Sequence, residues 1–254
     1  MNQNQSRIPQ QRIIAKMDEY MSRRDYAGAE KHLLYWLEEA RLSGDRRGEL
    51  MLRGELVGHY RKTGERDKAF ENAEAALRLV EELDFSDTIS AGTTYVNVAT
   101  AMNAFGENER AMALFEKARP IYESSAAIRP GLLGGLYNNM ALTCVSLKRY
   151  DEAFTLYEKA MAQMEKAPAG ALEQAITCLN LANLVEERDG MEKGEKAVFD
   201  LVDRAAALLD SPELTHDGYY AFVCEKCVPT FEYYGYFADA TRFAEEAKRI
   251  YEGA

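Results

Sequence analysis

Small and apolar residues recur along this chain at spacings of three and four, and the whole pattern then repeats every 42 residues. Between Thr94 and Phe105 the positions Tyr95, Val98, Ala99 and Met102 fall on one side of a helix, and Gly106 interrupts them. From Glu107 the series Ala111, Leu114, Phe115, Ala118 and Ile121 resumes the pattern. This predicts a second helix folded back on the first across a tight turn. The segment from Leu136 to Met164 repeats both halves, with Lys148, Arg149 and Tyr150 at the turn. Ala69, Ala111 and Ala153 mark the same place in successive copies, followed four residues on by Ala73, Phe115 and Tyr157 and seven on by Ala76, Ala118 and Ala160. Gly64, Gly106 and Lys148 hold the turn at the same interval of 42. A helix pair of this size cannot cover its own apolar stripe and must stack on its neighbours. The expected fold is therefore all-α: a right-handed α-solenoid of about six antiparallel helix pairs.

The register extends over nearly the whole chain. Asp25, Tyr26, Ala29 and Leu33 mark a first unit, Cys178, Leu179 and Ala182 open a fifth, and Gly235 with Ala240, Ala244 and Ala247 closes a sixth. A flexible N-terminus over 1–8 and a single array over 9–254 are expected. Two places depart from the pattern. Arg53 stands where a large apolar residue belongs, and 190–196 lacks clean small-residue spacing, so the second and fifth units are expected to be distorted.

Composition narrows the function. Apolar residues at 47% and charged residues at 29% suit a long, thin core under a solvated surface, and the formal net charge of -11 opposes nucleic-acid partners. No membrane partner is expected, because no stretch approaches the roughly 18 apolar residues of a span, and the N-terminal residues carry no leader-like apolar segment. Cytoplasmic localisation is expected. Cys144 and Cys178 stand alone, while Cys224 and Cys227 lie within a helical pattern at core positions, so buried reduced thiols are expected. No cofactor and no enzymatic activity are expected: His32, His59 and His216 fall in different units, and no phosphate loop, metal-spaced cluster or nucleophile motif occurs.

The repeat resembles the tetratricopeptide family. Tyr137, Asn138, Asn139, Met140 and Ala141 match its first helix, and Tyr150, Ala153, Tyr157 and Ala160 its second. The period exceeds that family's usual 34 residues and is similar to the long repeats of kinesin light chains. The resemblance implies a protein–protein interaction module whose first helices line a concave groove holding an extended peptide or partner segment. Asn97, Asn139 and Asn180, spaced 42 and 41 apart, would form a row there, since an amide both donates and accepts a hydrogen bond from a main chain. The alternative is that each Asn ties neighbouring helices together. The same register brings Thr100, Asn103, Asn138, Leu142 and Asn183 beside the row, Arg61 and Lys62 to a basic early end, and Lys226 to its late end.

Eight aromatic residues crowd the 19 positions from Tyr219 to Phe237. Some must fill the last unit's core, and the others would supply either a homodimer contact or a specificity pocket, with Tyr233 in the groove by register. A non-enzymatic scaffold or adaptor is the leading reading. A regulator that senses a signalling peptide and changes shape is the alternative; members of that kind generally carry an effector domain before the repeats, for which a start near Pro9 leaves no room.

Overall fold

Each predicted stripe forms one helix, and consecutive helices pair. The computed structural model describes residues 8–167 and 170–253, and among these residues there are twelve α-helices and no strand. The chain forms two compact units that divide after Ala126. The first holds α1 (Gln10–Ser22), α2 (Tyr26–Ser43), α3 (Arg46–Thr63), α4 (Arg66–Glu82), α5 (Ile89–Ala104) and α6 (Asn108–Ser124). The second holds α7 (Pro130–Ser146), α8 (Tyr150–Met164), α9 (Gly170–Asp189), α10 (Met191–Leu209), α11 (Gly218–Tyr233) and α12 (Phe237–Gly253). Within each unit every odd-numbered helix packs on the even-numbered helix that follows it, and first helices meet across pairs, α3 on α5 and α9 on both α7 and α11. Of the N-terminal segment expected to be flexible, residues 1–7 lie outside the described residues. Ile8 is buried, and its backbone N–H donates to Asp45 Oδ2 at 3.1 Å.

One left-handed residue turns the chain in each pair. Arg24, Gly64, Gly106, Lys148, Gly190 and Gly235 have φ of 55°, 77°, 81°, 59°, 75° and 82°. A Cβ crowds the backbone in that conformation, which is why glycine holds four of the six places and why Arg24 and Lys148 are strained exceptions. Several helices start on a side-chain cap. Asp25, Asp45, Thr88 and Asp217 each accept a backbone N–H from the first turn that would otherwise lack a partner.

The repeated alanines set how closely paired helices approach. Ala111, Ala118, Ala153 and Ala160 are fully buried, and Phe115 and Tyr157, also fully buried, fill the space beside them. Burial without a hydrogen-bond partner pushes the Tyr157 phenol well above its ordinary range. In the first unit a core gathers Ile13, Leu33, Leu52, Leu56 and Tyr60; in the second, Val198, Val202, Tyr220, Phe231 and Phe243 join another.

Both anticipated distortions resolve locally. Arg53 Nε donates to Glu49 Oε1 at 3.0 Å and its Nη1 to Asn72 Oδ1 at 3.1 Å, with Glu49 and Asn72 both buried. A hydrogen-bonded polar trio thus replaces apolar packing, and α3 and α4 run unbroken. In the fifth pair the register slips by one residue. Eight positions separate Ala182 from the turn at Gly190, against seven between Ala141 and Lys148, and only four lead on to the next small residue, Gly194. A Cβ at Gly194 would sit 2.8 Å from Val185 Cγ1, so this glycine does for α9 and α10 what alanine does elsewhere.

Candidate functional site

In the first unit the least buried stripes of the first helices border a cavity. It encloses about 380 Å³ and is lined by Gln10 of α1, Arg47, Gly54 and Glu55 of α3, Phe85 of the loop before α5, and Thr93 and Asn97 of α5, among others. Gly54 leaves the space into which Asn97 leans: a Cβ there would lie 3.8 Å from Asn97 Nδ2. The Asn97 amide is exposed and makes no hydrogen bond to the described residues. Glu55 is half-buried, and desolvation, followed by the charge of Asp18, pushes its carboxyl above the ordinary range. Arg47 holds its guanidinium 4.7 Å from the centre of the Phe85 ring. The wall therefore offers an unpaired amide, a carboxyl held above its ordinary pKa, and a cation.

Thr100, one turn beyond Asn97, spends its hydroxyl on the Val96 carbonyl at 2.8 Å. Asn103, a further turn along, is half-buried with its Oδ1 shielded and unpartnered. Arg61 and Lys62 lie exposed at the end of α3, with the Lys62 ammonium 5.4 Å from the Tyr26 ring centre.

The second unit treats its asparagines differently. Asn139 is half-exposed on α7, and its amide has no partner among the described residues. Asn138, which the sequence placed beside the groove, is instead buried between α7 and α9, where its Oδ1 accepts from Thr177 Oγ1 and from Asn180 Nδ2, each at 3.4 Å. One residue's rotation on α7 turns its side chain toward the neighbouring helix. Asn180 thereby acts as a tie between helices, the alternative raised for the whole row, although it remains half-exposed. Leu142 is half-buried.

Asn183 is exposed, and its Oδ1 accepts from Tyr234 Oη at 3.0 Å. Lys226 is exposed on α11. Tyr233 is 67% exposed yet donates to Glu186 Oε1 at 2.8 Å, and that bond pushes its phenol upward. The aromatic cluster divides: Tyr220, Phe231 and Tyr234 are buried, while Tyr219, Phe222, Tyr233 and Phe237 are exposed.

The thiols are packing groups. All four cysteines are free and buried, and burial pushes Cys224 up to about 11 and Cys227 up to about 12. No cluster of His, Cys, Asp or Glu among the described residues could hold a metal ion. No helix among them is long and apolar enough to cross a membrane. Sequence periodicity missed Arg47 and Phe85, because one precedes the repeated positions of α3 and the other lies in a connecting loop.

Two family models fall on the chain, each describing a tetratricopeptide repeat: one matches residues 49–124 and the other 134–167. Over these residues the chain carries tetratricopeptide repeats. Its fold is also similar to solved repeat proteins. BtubC (BKLC) from P. vanneervenii is 18% identical, with 97% of this chain and 92% of that one aligned at a TM-score of 0.50. A kinesin light chain candidate of Podosopora anserina with nearly identical TPR-like repeats is 17% identical over 79% of this chain and 94% of that one, TM-score 0.54. A Rap protein complexed with competence and sporulation factor is 13% identical over 94% and 73%, TM-score 0.54. At these identities the likeness is one of fold. No curated protein matches the chain.

Proposed function

We propose that this tetratricopeptide repeat chain is a non-catalytic protein-interaction module, a cytoplasmic scaffold or adaptor, whose first helices hold an extended segment of a partner. The observation that carries this reading is the pair of amides left without protein partners, Asn97 over the 380 Å³ cavity of the first unit and Asn139 on α7 of the second. An exposed Asn is a mediocre helix former, and an amide that neither caps nor ties a helix is suited to pairing with an incoming main chain. Thr100, Asn103, Arg61 and Lys62 would then flank a segment held on the first unit, and Leu142, Asn183, Lys226 and Tyr233 one held on the second. Asn180 contributes with whatever capacity its bond to Asn138 leaves.

A peptide-sensing regulator is the second reading, favoured by the likeness of fold to a Rap protein whose structure includes competence and sporulation factor. Selection of a displayed library of random 12-residue peptides on the full chain tests the shared part of both readings. Binders should emerge, and the paired change Asn97→Ala with Asn139→Ala should cost them roughly tenfold or more in affinity while the melting temperature stays within about 2 °C. A library that yields no binder overturns the reading, as does a variant that keeps full affinity.

A further inference from the structure

One helix of the second unit presents an exposed stripe rich in aromatic rings. Tyr219, Phe222, Lys226, Pro229 and Tyr233 recur on α11 at spacings of three and four, and all five are exposed. Both end tyrosines lean toward α9 and donate hydroxyl hydrogen bonds to its carboxylates, Tyr219 to Glu173 and Tyr233 to Glu186 Oε1, while Tyr234 Oη lies 2.9 Å from Glu186 Oε2. Phe222 stacks beside Tyr219 with ring centres 6.3 Å apart, and Tyr234 meets Tyr233 edge-on at 5.0 Å. Each end of the stripe therefore combines an exposed ring with a carboxylate. No Lys or Arg among the described residues pairs with Glu173 or Glu186.

An ionised carboxylate has about four lone-pair sites, so Glu173 and Glu186 retain acceptor capacity after accepting the tyrosine hydrogen bonds. A phenol that donates its proton enriches its ring in electron density, which strengthens the attraction of the ring face for a cation. Glu187, Glu225 and Glu232 are exposed on the same two helices, where the exposed cations are Lys226 and Arg188, the latter paired with Asp189 at 2.8 Å. The field over this face is negative at both ends, in a chain of net charge -11.

We propose that the α9–α11 face of the second unit binds a basic partner segment through two Lys or Arg side chains, one at Tyr219, Phe222 and Glu173 and the other at Tyr233 and Glu186. This rests on the reading that the first helices hold an extended partner segment, and it adds the chemistry of that partner. Fourteen residues of helix separate the two ends, which is about 21 Å at the α-helical rise. An extended chain covers that distance in about six residues. Lys226, near the middle of the stripe, favours an acidic or neutral residue between the two cations.

The same peptide selection separates this inference from the reading beneath it. Enriched sequences should carry two Lys or Arg about five to seven positions apart, and their binding should weaken as salt rises. The paired change Glu173→Gln and Glu186→Gln removes both charges and leaves each side chain one oxygen to accept a tyrosine hydroxyl; it should lower affinity for those peptides roughly tenfold. Tyr219→Ala with Phe222→Ala should do the same at one end, with circular dichroism confirming an intact fold. Binders that show no basic bias, or that the Gln variant holds as tightly, overturn the inference and leave peptide binding standing. A library without binders overturns both. Light scattering that shows a dimer dissolved by Tyr219→Ala would assign the face to a second copy, which also overturns it.

Discussion

At the scale of single residues, His59 shows how an unused polar group leaves a measurable trace. Its ring is buried between Tyr26 and Tyr60, at centroid distances of 6.5 and 5.3 Å, and its Nδ1 has no hydrogen-bond partner. Burial holds its pKa below the ordinary value; the charges of Glu30 and Glu65 oppose that shift, and those of Lys68 and Lys62 reinforce it. The unfolded chain therefore takes up a proton at a higher pH than the folded one. Stability is fully present above about pH 6.5 and falls as pH drops through that value toward the folded pKa. Melting curves from pH 7.5 to 5.5 should show this loss, and His59→Phe should flatten it. An equal slope in the variant would assign the effect to other groups. The carboxylate Glu30, whose own pKa is lowered by hydrogen bonds from Lys68 and Tyr60, contributes the same sign of dependence only at more acidic pH.

At the scale of elements, the hairpin turns were readable from sequence because a left-handed backbone selects for glycine. Lys148 occupies that conformation at φ 59° where Gly64 and Gly106 hold it without a Cβ. Lys148→Gly should stabilise the protein by up to about 1 kcal/mol, the relief of left-handed strain being partly offset by the greater freedom of glycine in the unfolded chain. Chemical denaturation read at the midpoint measures it, and a destabilised variant would mean that the lysine stem contributes packing. Helix pairing and the alanine contacts were legible for the same reason: each position recurs, so repetition itself is the signal. Arg53 and Gly190 misled, since each is a single event. One is satisfied by Glu49 and Asn72, which lie four residues back and nineteen ahead, and the other absorbs a one-residue slip that only Gly194, set against Val185, makes good. The side-chain direction of Asn138 was hidden too, because one position on a helix is a rotation of about 100° and decides between solvent and a neighbour. Arg47 and Phe85 fall outside the repeating positions and come together only in the folded first unit.

At the scale of the whole molecule, the question is how many helix pairs make a stable body. A single pair such as α7 and α8, with helices of 17 and 15 residues, is short for independent stability in water. Its apolar faces depend on the next pair: Met161 of α8 joins a core with Leu172, Ile176 and Leu179 of α9. Three pairs are a different case. The second unit's core runs on through Val198, Val202, Tyr220, Phe231 and Phe243, tying α8 through α12 into one cluster, and nearest-neighbour burial of this kind adds stability with each pair. Residues 127–254 produced alone should therefore be strongly helical by circular dichroism and melt in one cooperative transition, whereas residues 127–167 alone should show little helix. A broad, shallow melt of the longer fragment would mean that its core requires the first unit. A well-folded shorter fragment would mean that each pair is self-sufficient, against the burial pattern from which the stacked array is inferred.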